Sequence, residues 1–331
     1  MSITIASMID PLRRRAACQP PNRRSQAPAR LTSQWNPAHG SQAHTSLDKT
    51  VATVFVDCVA YYRAHGPAEM RPIGETEFAN GVAAMAASGA YGPTRACAAI
   101  VSHADLLRGA AVREVLEAHV QAGNGRFRGI RHAGGWDASA MIRNSHTHPP
   151  LGLYSQPKFR EGFAQLAPLG LSFEAWQYHP QLPMVTELAR TFEGTAIILN
   201  HVGGPLGTGP YAGQAEQTFV AWKRGMQELA RSPNVSVKLG GLGMPIGLFD
   251  FHRRAVPATS MQLAEAWRPW IETCIDIFGA SRCMFESNFP VDKASGSYAV
   301  LWNAFKRLAA GASADQRSSL FSGTAQRVYR L

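Results

Sequence analysis

Cysteine is scarce: Cys18, Cys58, Cys97, Cys274 and Cys283 are odd in number, scattered and without C-x-x-C spacing, which supports neither a disulfide framework nor a zinc ribbon. Cys58, Cys97, Cys274 and Cys283 sit in apolar runs and are expected to be buried, inert thiols. No apolar run approaches the length of a transmembrane helix. The first ten residues lack the charged head and apolar stretch of a secretory signal, so a cytoplasmic location and no membrane partner are expected. A G-x-G-x-x-G turn opening the first helix after a strand is also missing, which argues against a dinucleotide-binding open sheet.

Acidic residues are outnumbered, 23 against 33 basic ones, giving a net charge of +10. The excess is uneven: residues 1–50 hold seven Lys/Arg against two Asp/Glu, and the remaining 281 residues hold 26 against 21. Beyond the N-terminal segment the chain is only mildly basic and lacks interleaved basic and aromatic residues, so no nucleic-acid partner is expected. Between residues 12 and 46 there are six arginines and four prolines with no helical or strand period, read as loop or disorder.

From residue 51 the pattern is regular. Strand-like runs at 51–58, 95–101, 127–132, 171–177, 195–200, 234–239 and 282–286 alternate with helical patterns, and the run at 3–9 supplies an eighth strand. Eight such units in 331 residues favour a closed (β/α)₈ TIM barrel, with residues 1–50 an atypical basic segment and 51–331 the barrel domain.

Several strands end in polar residues, where a barrel builds its site. Thr195-Ala-Ile-Ile-Leu-Asn-His201-Val-Gly-Gly-Pro205 is a buried-strand pattern that stops at a histidine and a turn. Arg128-Gly-Ile-Arg131-His132, Trp176-Gln-Tyr178-His179-Pro180 and Glu286-Ser-Asn288-Phe-Pro290-Val-Asp292 end likewise. His146-Thr-His148 lies in a loop before two prolines and is read as structural or surface. Gly240-Gly-Leu-Gly243 is read as a flexible strand-to-helix loop.

Through these motifs and the terminal Leu320-Phe-Ser-Gly-Thr-Ala-Gln-Arg-Val-Tyr-Arg, residues 51–331 resemble the amidohydrolase-related family of metal-dependent TIM-barrel hydrolases. The branch of sugar lactonases and pyrone-dicarboxylate lactonase is the most similar. The resemblance implies hydrolysis of a lactone or similar cyclic ester of an acidic small molecule by activated water. Its alternatives are a metal-dependent decarboxylase and a catalytically impaired barrel.

Two departures from the family pattern stand out. The family's first strand ends in Asp-x-His-x-His, whereas Asp10-Pro11 is followed here by Leu12, Arg13 and Arg14, and a frameshift across residues 11–46 would account for the change. The eighth strand has Asn288 where the family has an aspartate, and an amide cannot accept the proton that activates water.

His201 and His179 are therefore assigned to polarise the carbonyl, either unaided or as ligands of a divalent metal such as zinc; two histidines alone make an incomplete zinc site. Glu286 and Asp292 are the candidate bases, with Asp292 favoured, and Asn288 can hold a hydrogen-bonded group. Strand parity puts Glu286 on the same face as Asn288, one layer deeper. Of Arg128 and Arg131, residues three apart on a strand, only one can face inward; Arg131 is preferred as the anchor for a substrate carboxylate, and Tyr178 is a candidate pocket wall. The expected partner is a small molecule, and the sequence leaves oligomerisation open.

Overall fold

The computed structural model describes residues 2–7 and 50–331. The arginine-rich segment, the expected disorder at 12–46, Cys18, the missing first-strand histidines and the frameshift hypothesis all lie outside the described residues. Eight strands, β1 (Ser2–Ser7), β2 (Thr50–Val56), β3 (Arg95–Ser102), β4 (Phe127–Arg131), β5 (Ser172–Ala175), β6 (Ile197–Leu199), β7 (Val235–Leu239) and β8 (Cys283–Phe285), pair in parallel in sequence order. Between them run α1 (Ile73–Ala87), α2 (Val112–Ala122), α3 (Pro157–Phe163), α4 (Leu182–Thr191), α5 (Ala215–Leu229) and α6 (Ser260–Phe278); α7 (Tyr298–Leu308), α8 (Ala314–Ser318) and α9 (Thr324–Tyr329) follow β8. This is the (β/α)₈ TIM barrel that the alternation predicts.

Period-2 alternation divides the strands into an inner and an outer face. Ala52, Val54 and Val56 of β2, Ala99 and Val101 of β3, Ile198 of β6 and Met284 of β8 pack together inside, joined by Ala325 and Tyr329 of α9. Their neighbours Phe55, Ile100, Phe173, Ile197, Val237 and Phe285 point outward into the core shared with the helices. The helices present apolar stripes to that layer; on α6, Leu263, Trp267, Trp270, Ile271, Cys274 and Phe278 are buried at helical spacing. Thr259 caps α6, accepting from the Gln262 amide, and Gly279 ends it with a positive φ of 77°.

The expected strand ends shift because polar residues leave the ladder early. The run at 51–58 stops at Val56, which frees Asp57 to turn across the mouth, and 171–177 shortens to Ser172–Ala175. Cys97, Cys274 and Cys283 are buried, as the sequence suggests, and Cys58 is half-buried. Among the described residues no helix is long and apolar enough to cross a membrane.

Candidate active site

Charged residues in the barrel strands were the least expected feature of a fully buried interior. Val235-Ser-Val-Lys238-Leu and Leu171-Ser-Phe-Glu174-Ala place Lys238 and Glu174 inward by parity, and both are almost fully buried. Lys238 Nζ stands 2.6 Å from Glu174 Oε2 and 3.9 Å from Glu286 Oε2. Asn200 Nδ2 also donates to Glu174 Oε2, and the Tyr329 hydroxyl donates to Glu174 Oε1 at 2.5 Å. A continuous polar layer thus crosses the barrel beneath the mouth, with one ammonium shared by two carboxylates and neutral donors on Glu174 completing it.

His201 stands above that layer. Its backbone N–H and its Nδ1 both bond Glu286 Oε1, at 3.1 and 2.6 Å. Burial alone would raise the Glu286 carboxyl, but His201 and Lys238 outweigh it and hold the group below the ordinary glutamate value. An ionised carboxylate has no proton to give, so Nδ1 must donate, leaving the Nε2 lone pair for a substrate, a water or a metal. The Trp176 ring meets His201 edge-on at 4.6 Å.

This geometry needs a strained backbone. His201, Val202 and Asn288 have φ of 52°, 47° and 47°, the left-handed region that side chains disfavour, with a β-branched residue among them. The Gly240-Gly-Leu-Gly243 turn is buried and tightly packed, which corrects its reading as a flexible loop. A Cβ at Gly240 would meet Glu286 Cγ at 2.5 Å, and one at Gly241 would meet His201 Cβ at 2.5 Å. Glycine is required here by close approach.

His179 is the second histidine at the mouth. Its Nδ1 accepts from the Leu206 amide at 3.3 Å, so in the neutral ring Nε2 carries the proton. Burial pushes its pKa down to about 4, leaving it uncharged near neutrality. The two histidines accordingly present opposite faces of the same chemistry: a lone pair on His201 and an N–H on His179.

Asp292 is buried, with Oδ1 accepting from Asn288 Nδ2 at 2.7 Å and Oδ2 from the Gly243 amide at 3.2 Å. Burial pushes its pKa up to about 8. Both oxygens of the Asp292 carboxyl face donors, which makes them weaker proton acceptors. Asn288 holds Asp292. Because the folded state binds the Asp292 proton more tightly than the unfolded chain does, its contribution to stability is full below about pH 4 and lost as pH rises through about 8. Asn288→Asp puts a second carboxyl against the first, and thermal unfolding should show a loss small at pH 5 but about 5 °C at pH 8. A loss independent of pH would contradict this pairing.

The arginines resolve differently from expectation. Arg131 does face inward, but Nε bonds Asp57 Oδ1 at 2.5 Å, Nη2 bonds the Asp57 carbonyl and Nη1 reaches Asn200 Oδ1 at 3.3 Å. Its fork is occupied by the protein, which removes the basis for assigning it to a substrate carboxylate. Arg128 lies at the amino end of β4, where Nε donates to the Tyr329 carbonyl at 2.7 Å and Nη1 to Gly125 O at 2.7 Å; it secures the C-terminal helix, away from the mouth. Tyr178 is buried and its hydroxyl donates to the Arg143 carbonyl, so it ties down the loop after β4.

Asp57 was not singled out in the sequence, where it closes an apolar β run as a lone acid. Burial opposes its charge, yet Arg131 and His146 hold it well below the usual carboxylate range. His146 Nε2 stands 3.3 Å from Asp57 Oδ2, so this exposed loop residue has a partner at the mouth, and His148 is exposed as well. Among the described residues no group of three His, Cys, Asp or Glu is placed to hold a metal ion.

The comparisons with known proteins extend this picture. An uncharacterized protein, y4mH, of Sinorhizobium fredii is 36% identical over 260 residues, covering 78% of this chain and 76% of its own. An L-fucono-1,5-lactonase of Burkholderia multivorans is 29% identical over 174 residues, 52% of this chain and 56% of that enzyme. The crystal structure of an amidohydrolase from Burkholderia multivorans with bound zinc is 25% identical, covers 89% of this chain and 86% of its own, and superposes with a TM-score of 0.63. Residues 52–331 match the family described as Amidohydrolase, and over that span, which holds seven of the eight strands and the histidines at their ends, the chain belongs to the amidohydrolase family.

Proposed function

We propose that this amidohydrolase opens a lactone ring, with His201 as the general base for water and His179 as the hydrogen-bond donor to the carbonyl. The observation that carries the reading is the bond of 2.6 Å between His201 Nδ1 and the ionised Glu286, which fixes the tautomer with Nε2 as acceptor. Water gives its proton to Nε2 as its oxygen attacks the carbonyl carbon. The imidazolium that forms is stabilised by Glu286. Charge gathering on the carbonyl oxygen is met by Nε2–H of a neutral His179. Collapse of the tetrahedral species breaks the acyl–oxygen bond, and the imidazolium returns the proton to the leaving ring oxygen. The L-fucono-1,5-lactonase relative supports a sugar-type lactone as the substrate class. The occupied fork of Arg131 speaks against the acidic lactone expected from sequence.

The metal expected from the family finds a poor donor set. Zinc in a catalytic site usually takes three protein ligands. Here His179 Nδ1 faces an amide donor, both oxygens of Asp292 are taken, and the sequence after Asp10 supplies Leu12 and Arg14 in place of histidines. These residues do not fit a zinc site, and no step is assigned to one. The test is an indicator assay of lactone opening by the full chain after treatment with a chelator, with metal content measured in parallel. The expected result is catalysis above the spontaneous rate with far less than one metal per chain. Activity that appears only on adding zinc would overturn this assignment.

A further inference from the structure

Above the barrel, a small apolar cluster stands apart from the main core. Ile142, Tyr178 and Leu206 form its buried part, and Trp176, Tyr211 and Ile246 pack on it half-buried. These residues come from the loops after β4, β5, β6 and β7, so the cluster is a wall at the carboxyl end of the barrel. It is continuous with the histidines: Trp176 meets His201 edge-on at 4.6 Å, and Tyr211 meets His179 edge-on at 5.2 Å.

One polar pair is set into that wall. The Tyr211 hydroxyl donates to Asp137 Oδ2 at 2.9 Å, across 74 residues of sequence. Asp137 is itself fixed, with Oδ1 accepting from the Ser139 amide at 2.8 Å and its own amide donating to Asn144 Oδ1 at 2.9 Å. Both side chains are half-buried, so they keep access to a ligand. An ionised carboxylate only accepts hydrogen bonds, and a phenol oxygen whose proton is already given away offers its lone pairs. The pair therefore recognises a group that brings its own hydrogens, and it repels an anion. Partly exposed aromatic rings beside it suit the C–H face of a saturated oxygen ring.

We propose that Asp137 and Tyr211 are the specificity-determining residues of this site, reading hydroxyl groups of a neutral polyhydroxylated lactone whose ring lies against Trp176. The assignment rests on the lactone-opening reading above and adds the residues that choose among lactones. Neither side chain is placed at the reacting carbonyl.

Two substrates separate the roles: a deoxyhexono-1,5-lactone, and tetrahydropyran-2-one, which has the same ring without hydroxyls. In Tyr211→Phe and in Asp137→Asn, the ratio of kcat/KM for the first over the second should fall about tenfold, chiefly through KM of the sugar lactone. A ratio unchanged in both variants would overturn the assignment while leaving lactone opening intact. If neither compound is opened, the hydrolytic reading fails on its own, and calorimetric titration with the matching free hexose decides the subsite. Binding that weakens about tenfold in Asp137→Asn supports it, and absence of binding to the unaltered chain, or equal binding by the variant, overturns it. Unchanged circular dichroism of Tyr211→Phe guards against loss of fold as the cause.

Discussion

Replacing His201 by asparagine is expected to reduce lactone opening by about 10³-fold while leaving the barrel folded, the size of effect typical of losing a general base. Asparagine keeps an N–H near the position of Nδ1, so Glu286 retains a donor, but it offers nothing at Nε2. His201→Ala should be equally inactive and, in addition, less stable by about 1–3 kcal/mol, because Glu286 then loses a side-chain donor in a buried site. Kinetics and chemical denaturation of the two variants together separate the chemical role from the structural one. An asparagine variant with near-parental rate would remove His201 from the mechanism.

The second large effect is expected at Lys238. Its ammonium group lies between Glu174 and Glu286 with almost no exposure, and removing one partner from a buried charge pair is typically worth about 3–5 kcal/mol. Lys238→Met should destabilise the chain by that order in urea unfolding, and Glu174→Gln in the same chain should restore part of the loss. The variant should also lose activity at the acid side first. Lys238 helps hold Glu286 below its ordinary value, so without it Glu286 takes up a proton at higher pH, and a protonated Glu286 no longer requires the Nδ1–H tautomer of His201. The acid limb of the rate profile should therefore move to higher pH. A stable variant with an unmoved limb would show that the polar layer does not support the histidine.

How far the site was legible depends on how local each signal is. His201 could be found because a β-branched run ending in His-Gly-Gly-Pro places a side chain at a strand end by itself. Parity left open which of Arg128 and Arg131 faces inward; in the structure Arg131 is buried against Asp57, and Glu286 is buried against His201. What parity cannot supply is the partner. Arg131 turned from substrate anchor to framework residue because Asp57, 74 positions away, fills its fork. Lys238 and Glu174 carried a signal that went unused, since a single charge on the inward phase of an apolar strand demands an opposite charge inside. Asp137 and Tyr211 had none: they meet through two loops whose paths no periodicity encodes. The fold was more readable than the site for the same reason, because alternation of strands and helices repeats along the chain.

Lactone opening by water attack at the carbonyl is tested most directly by running the reaction in water labelled with oxygen-18 and identifying the product by mass spectrometry. With a deoxyhexono-1,5-lactone and the full chain, the account predicts a ring-opened acid carrying one label in its carboxyl group, formed faster than in the absence of the chain. Opening no faster than the spontaneous reaction, or release of carbon dioxide from an aromatic acid in its place, would contradict it.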